Sequence, residues 1–168
     1  YKLSNKDVFD ISIGRRVLSS EISAEYDVPV YSANVFEPFG NINKLLITDF
    51  SVASVLWGID GDWQVNVIAE HQPFYPTDHC GVLRIKGGQL EPKYVAYVLQ
   101  KAGQQEGFKR SYRASIDRIE GLSLRLPPLD EQREIVGKIA GLGGRIGAAK
   151  RTMAECPERK RAVLRKWL

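Results

Sequence analysis

The stretch that most constrains this chain is Leu126-Pro127-Pro128-Leu129-Asp130-Glu131-Gln132-Arg133-Glu134-Ile135-Val136. Beyond it, apolar residues recur at Ile135, Ile139, Leu142, Ile146, Ala149 and Met153, with gaps of 4, 3, 4, 3 and 4. That is a heptad seam, one apolar stripe along a helix that needs a partner helix to leave water. Proline suits the first turn of a helix, where its missing N–H would have no acceptor, so Pro128 is read as that first turn. Pro127 drives Leu126 towards an extended conformation. Asp130, Glu131 and Glu134 put negative charge at the positive helix N-terminus, with Lys150 and Arg151 towards the other end. The expectation is a strand, Leu122–Leu126, turned through a di-proline corner into a long helix.

Two features argue against a free-standing helix. Five glycines from Gly137 to Gly147 each weaken it by roughly 1 kcal/mol against alanine. Such a helix should be packed against something. Pro157 is expected to kink or end it. After Pro157 a basic helical pattern resumes, with Ala162, Val163, Leu164, Trp167 and Leu168 set among Arg159, Lys160, Arg161, Arg165 and Lys166.

The preceding residues read as a mixed, β-rich globular domain. Val8 to Ile13 alternates and should be a strand ending at Gly14, followed by Arg15 and Arg16. Val28 to Ser32 reads as a short extended segment. Asn34 to Lys44 is a polar-aromatic loop holding Asn34, Asn41, Asn43 and Lys44. Ser51 to Trp57 is the most apolar run and should be a buried strand, with Trp63 to Ala69 its hairpin partner across Gly58-Ile59-Asp60-Gly61-Asp62. Trp57 and Trp63 are read as core or edge packing. Val82 to Ile85 should be another strand. Pro92 to Gln100 carries apolar residues at helical spacing and should be a helix ending near Gly103.

Charge is unevenly placed. The net +4 of the 168 residues divides into −1 over residues 1–129 and +5 over residues 130–168. A basic balance favours an anionic partner. The densest positive patch is Phe108-Lys109-Arg110-Ser111-Tyr112-Arg113-Ala114-Ser115, followed by Arg118. Cations, hydroxyls and an aromatic in so short a run suit phosphate and groove contacts, and asparagine amides pair with adenine edges. The plainer alternatives are a solvated loop and ordinary turn chemistry. Arg15 and Arg16 after a glycine could clamp a phosphate or form an exposed turn.

Enzymatic signatures are lacking. The sequence holds no phosphate-binding glycine loop, no dinucleotide loop, no methyltransferase Asn/Asp-Pro-Pro-aromatic motif and no zinc spacing. Asp78-His79-Cys80 invites a catalytic or metal reading, but His71 and His79 are the only histidines and no partner set accompanies them. A hydrogen-bonded structural histidine is expected, and neither metal nor cofactor. No apolar run approaches the ~20 residues of a membrane span. Cys80 and Cys156 lie far apart, which fits a cytoplasmic protein without a disulfide framework. The start at Tyr1 and the end inside a basic helical pattern suggest part of a longer chain.

The whole arrangement resembles the DNA-specificity (S) subunit of type I restriction–modification systems. The segment Leu126-Pro127-Pro128-Leu129 followed by Glu131-Gln132 and Ile135 is similar to that family's junction between target recognition domain and spacer helix. Lys2-Leu3 and the Gly14-Arg15-Arg16 turn resemble the opening of a recognition domain, Pro92 to Leu99 its helix, and Arg113 to Leu126 its closing portion. The resemblance implies an α+β fold: a β-rich target recognition domain over residues 1–127, then a spacer helix over 128–168 that pairs in a coiled coil through the seam from Ile135 to Met153. It implies a non-catalytic chain that reads half of a split sequence in double-stranded DNA. Methyltransferase (M) subunits would assemble on it to methylate adenine, and a restriction/translocase (R) subunit would join for cleavage. A second recognition domain, or a homodimer, would supply the partner helix. The expected DNA-facing residues are Arg15, Arg16, Asn34, Asn41, Asn43, Lys44, Lys109, Arg110, Tyr112, Arg113 and Ser115.

The helix is long enough for a ruler. About 27 residues at 1.5 Å each give ~40 Å, or roughly 12 base pairs, a sensible separation for two reading heads on successive major grooves. Two other readings share these residues: the recognition domain of a fused single-chain restriction–modification enzyme, and a coiled-coil adaptor with no DNA role.

Overall fold

A computed structural model describes residues 1–167, the side chain of Trp167 excepted. Leu168, which the sequence reading places in the basic tail, lies outside the described residues. The chain forms two compact units, Tyr1–Gln132 and Arg133–Leu168.

The first unit is built on a four-stranded antiparallel sheet of order β1-β7-β4-β5. Its strands are β1 (Phe9–Ile13), β4 (Ser54–Gly58), β5 (Val65–Ile68) and β7 (Cys80–Ile85). Burial explains the apolar run at β4, since both faces are covered. On one face Val55 and Trp57 join Phe9, Leu83 and Ile85, together with Val95 and Leu99 of helix α1 (Pro92–Glu106). On the other, Leu56 joins Val82, Cys80, Phe74 and Val35. Register places Trp57 opposite Gly81, and a β-carbon on Gly81 would lie 2.1 Å from the Trp57 ring. The indole therefore lies on bare backbone, and its Nε1–H donates to the Ala114 carbonyl at 2.9 Å.

A second, smaller sheet has the order β3-β2-β6, from β2 (Val28–Tyr31), β3 (Asn41–Ile42) and β6 (Tyr75–Pro76). Strand β6 runs parallel to β2, with Val30 opposite Tyr75. Val30, Ile42 and Tyr75 form its own small core.

The edge strand β5 is occupied along its side. Val65 N–H donates to Gln100 Oε1 at 2.9 Å, and Val67 N–H to Asn66 Oδ1 at 2.8 Å. The Asn66 amide in turn donates to the Val35 carbonyl at 2.7 Å.

Three expectations need correction within this unit. Helix α1 does not stop near Gly103. It runs to Glu106 and ends at Gly107, whose φ of 84° is the left-handed cap. Gly103 serves packing instead, since a β-carbon there would lie 2.3 Å from the Trp63 indole. Leu122–Leu126 is not a strand. It pairs with residues 1–3 through an isolated bridge between Lys2 and Ser123, with Leu3 N–H donating to the Leu122 carbonyl at 3.1 Å and Leu124 N–H to the Tyr1 carbonyl at 2.8 Å. Burial of Leu3 and Leu124 anchors the two stretches. Between them and α1 the chain also makes a short helix, α2 (Ile116–Glu120), directly after the basic segment of residues 108–115 and carrying Arg118, where no helix was expected.

Helix α3 (Leu129–Trp167) is 39 residues long, about 58 Å at 1.5 Å per residue and so longer than expected. Pro128 precedes it and its carbonyl accepts the Gln132 N–H at 3.1 Å. That is the cap position rather than the first helical residue. Pro157 neither ends nor splits the helix. Proline lacks one hydrogen bond and crowds the carbonyl of the residue four before it, here Met153, but its φ near −65° is itself helical, so the spiral resumes. Glu155 and Arg159 form an ion pair of 2.7 Å across it. Along the heptad seam Ile139, Leu142, Ile146 and Met153 are 38%, 54%, 57% and 72% exposed. Ala149 is exposed and Ile135 half-buried. Among the described residues no helix is long and apolar enough to cross a membrane.

Candidate nucleic-acid interface

The site begins where β1 stops. A β-carbon on Gly14 would lie 1.9 Å from the Pro76 carbonyl oxygen, so only glycine lets β1 press against β6. Arg15 N–H donates to that carbonyl at 3.2 Å, and the side chains of Arg15 and Arg16 emerge exposed at this crossing. Arg16 lines a cleft of 350 Å³ with Val17, Ser32, Phe39, Thr77, Asp78 and His79. Thr77 sets its floor. Its N–H donates to the Tyr31 carbonyl at 2.9 Å, its hydroxyl to Ser32 Oγ at 3.0 Å, and the same oxygen accepts His79 N–H at 3.3 Å.

From His79 the contacts lead to the basic segment. His79 Nδ1 lies 3.1 Å from Asp60 Oδ2, and Arg113 Nη2 donates to the same oxygen at 2.5 Å. Partial burial works to raise the Asp60 carboxyl, but the Arg113 hydrogen bond and the neighbouring His79 and Arg113 charges bring it below the ordinary carboxylate value. Arg118 Nη1 donates to the Arg113 carbonyl at 2.7 Å, and its guanidinium lies 4.0 Å from the centre of the Tyr112 ring. Tyr112 stacks on buried Phe108 at 5.7 Å between centroids, and its hydroxyl donates to Glu106 at 3.2 Å. Backbone bonds between Lys109 and Tyr112 close a tight turn with Arg110 and Ser111 at its tip. Lys109 and Arg110 are exposed there. Ala114 N–H donates to the Ile59 carbonyl at 3.0 Å, so the whole segment is fastened to the β4–β5 turn.

Contacts thus join His79, Asp60, Arg113, Arg118 and Tyr112, and Lys109 pairs with Tyr112 through its backbone. Arg16 lines the cleft that His79 also lines, Arg15 is held through its backbone alone, and Arg110 stands at the turn tip. Ser115 stands at the start of α2, and its side chain makes no capping bond. The asparagine set is placed differently. Asn34 Oδ1 accepts the N–H groups of Phe36 at 3.0 Å and Glu37 at 3.3 Å, a turn-making role that leaves its amide N–H2 exposed. It presents Phe36 and Phe39, 56% and 55% exposed. Asn41 is half-buried in β3, bonded through its carbonyl to Ser23 N–H at 3.1 Å. Asn43 and Lys44 line another depression with Glu25, Tyr26 and Asp27. Lys44 pairs with Glu21 and lies 5.4 Å from the Tyr75 ring centre. The Glu21 carboxyl is held below its usual range by the Leu18 N–H and then by Lys44.

His79 is hydrogen-bonded within the fold, as its structural reading requires. Asp60 was missed. In sequence it is one acid in a turn, and 53 residues separate it from Arg113. No periodicity reports a pairing of that span. A larger groove of 610 Å³ between β5 and α1 is mainly apolar, walled by Trp63, Val65, Val67, Ala96 and Tyr97, and Lys93 is its one charged lining residue.

Residues 2–151 match the family model described as the type I restriction modification DNA specificity domain. A Mycoplasma pneumoniae protein named as a type I specificity subunit, S.MpnORF289P N-terminus, is 31% identical over 101 residues, or 60% of this chain and 52% of that one. Another from the same organism, S.MpnORF507P, is 29% identical over 140 residues, covering 80% of this chain and 37% of the relative. This chain therefore spans about half or less of these relatives. The crystal structure of the HsdS subunit from Thermoanaerobacter tengcongensis superposes with a TM-score of 0.66 at 19% identity, over 90% of this chain and 39% of that one. At that identity the likeness is one of fold.

Proposed function

The chain belongs to the type I restriction–modification DNA specificity family, and we propose that it reads one part of a DNA target for partner subunits that act on the DNA. In this reading residues 1–127 are the target recognition domain and residues 128–168 the spacer helix. The exposed seam on α3 docks a second helix, from another recognition domain or a second copy. Methyltransferase subunits assemble on the chain to methylate adenine, and a restriction/translocase subunit joins them. The chain itself performs no chemistry.

The observation that carries the proposal is the convergence of three loops on Asp60. The turn after β4, the turn before β7 and the basic segment after α1 meet at one carboxylate oxygen, while Lys109 and Arg110 stay exposed beside them. Rigidly held polar side chains next to unpaired cations are what reading plus phosphate anchoring needs.

The test is binding of the chain to duplex DNA across a series of salt concentrations. Affinity should fall steeply with salt, and Lys109→Ala with Arg110→Ala should reduce the logarithmic salt slope by about one per residue. Affinity without salt dependence, or an unchanged slope in the double variant, refutes the assignment. Self-association with no DNA affinity would instead identify a coiled-coil adaptor.

A further inference from the structure

We infer that Arg113, braced by Asp60, reads a guanine in the DNA major groove and is a specificity-determining side chain rather than a phosphate anchor. The inference rests on the DNA-reading role proposed above.

The brace leaves Arg113 half free. One of the two N–H groups on Nη2 is spent on Asp60 Oδ2 at 2.5 Å, and the other remains to form a fork with a neighbouring donor. The Arg113 side chain is 56% exposed while Asp60 is 22% exposed, so the carboxylate sits inward and the guanidinium outward. A guanidinium carries five N–H donors in a rigid fork, and the donors not spent on Asp60 remain for a ligand. Its backbone is pinned too. Arg118 holds the Arg113 carbonyl at 2.7 Å and is itself laid over Tyr112. A side chain fixed in this way gives up less rotamer freedom when it binds.

Charge then decides the ligand. A phosphate contact gains mainly from an unpaired cation that releases counterions. Arg113 lies against a carboxylate, which offsets its charge and repels a phosphate that comes near. Lys109 and Arg110 carry no such acid and suit phosphates better. What Arg113 keeps is direction. Of the four bases, guanine alone shows two acceptors, O6 and N7, at its major-groove edge, and these match the fork of a guanidinium. Adenine sets an amino donor beside its N7, thymine sets a methyl beside its one acceptor, and cytosine presents an amino donor. A braced arginine that loses long-range pull but keeps its fork is therefore suited to reading guanine.

The experiment is sequence selection from a pool of random duplexes by the full 168-residue chain, run for the unaltered chain and for R113K, D60N and K109A. The unaltered chain should recover a motif with a guanine favoured over other bases by on the order of ten- to a hundredfold at one position. R113K keeps the charge and loses the fork, so preference should vanish at that position alone. D60N should weaken the same position, and K109A should lower affinity for all sequences equally. If R113K keeps every preference, loses one for a base other than guanine, or loses affinity evenly, the assignment to guanine is overturned. If the unaltered chain recovers no motif, the DNA-reading role falls first. Should D60N fail to fold, as thermal melting would reveal, R113K at its exposed position decides the matter.

Discussion

The side-chain amide of Gln132 accepts a hydrogen bond from the Glu91 backbone N–H at 3.0 Å and donates to the Pro127 carbonyl at 2.7 Å. Gln132 is 0% exposed. Glu91 is the residue before α1, where backbone N–H groups have no helical acceptor. One amide in the first turn of α3 therefore satisfies a donor at the start of α1 and fixes the di-proline corner. This gives the glutamine of the junction motif a physical task.

Gln132→Ala should leave the half-buried Glu91 N–H and Pro127 carbonyl without these partners. The expected loss is about 1–3 kcal/mol. Urea denaturation should show a lower midpoint with an unchanged slope, because the surface exposed on unfolding stays the same.

Glycines of opposite kinds should respond oppositely to alanine. Gly81→Ala drives a methyl into the Trp57 ring at 2.1 Å, and rearranging two central strands should cost more than ~3 kcal/mol. Gly141→Ala and Gly143→Ala meet nothing within 4 Å. Each should stabilise α3 by roughly 0.5–1 kcal/mol, through restored helix propensity. Melting temperatures of the three variants would show the contrast.

The Asp60 carboxyl is lowered from its ordinary value of 3.8. A depressed folded value means that its ion pair stabilises the domain fully above the ordinary value. That contribution is lost as pH falls through the lower one. Melting temperature measured from pH 7 down to pH 2 should therefore fall less steeply in Asp60→Asn below pH 4 than in the unaltered chain. The variant should be the less stable of the two at pH 7. Parallel acid limbs would remove Asp60 from this role.

If the seam of α3 takes a partner helix, Leu142→Asp and Ile146→Asp should each weaken the pairing. Each buried aliphatic side chain contributes about 1.5–3 kcal/mol, so each change weakens association by at least tenfold. Sedimentation velocity would report the shift to monomer. An unaltered chain that stays monomeric at high concentration would place the partner helix elsewhere.

Much of the frame was legible in the residues. Strands β1, β4, β5 and β7 follow from alternation and from the apolar run through Trp57. Helix α1 follows from its spacing, and the start of α3 follows from Pro127 and Pro128. Strand β6 was not legible, because two residues have no period and its parallel pairing to β2 depends on distant chain. Gly103 misled because a glycine in a helical pattern reads as an end, whereas Trp63 needed the space. As an end of the helix Pro157 misled, because its missing hydrogen bond is counted in sequence while its helical φ is not. Within the site the exposed cations were visible as composition. The acid that pairs with Arg113 was not, since Asp60, His79 and Arg113 meet only through the fold.

The amides that occupy β5 have a consequence for how such a domain changes over time. A strand whose outward N–H groups are already taken, by Gln100 for Val65 and by Asn66 for Val67, offers an incoming chain little to copy along that margin. Fibril growth is disfavoured there whatever the loops contain. Substitutions in the turns around Asp60 and Arg110 can then accumulate without adding an aggregation hazard at this margin.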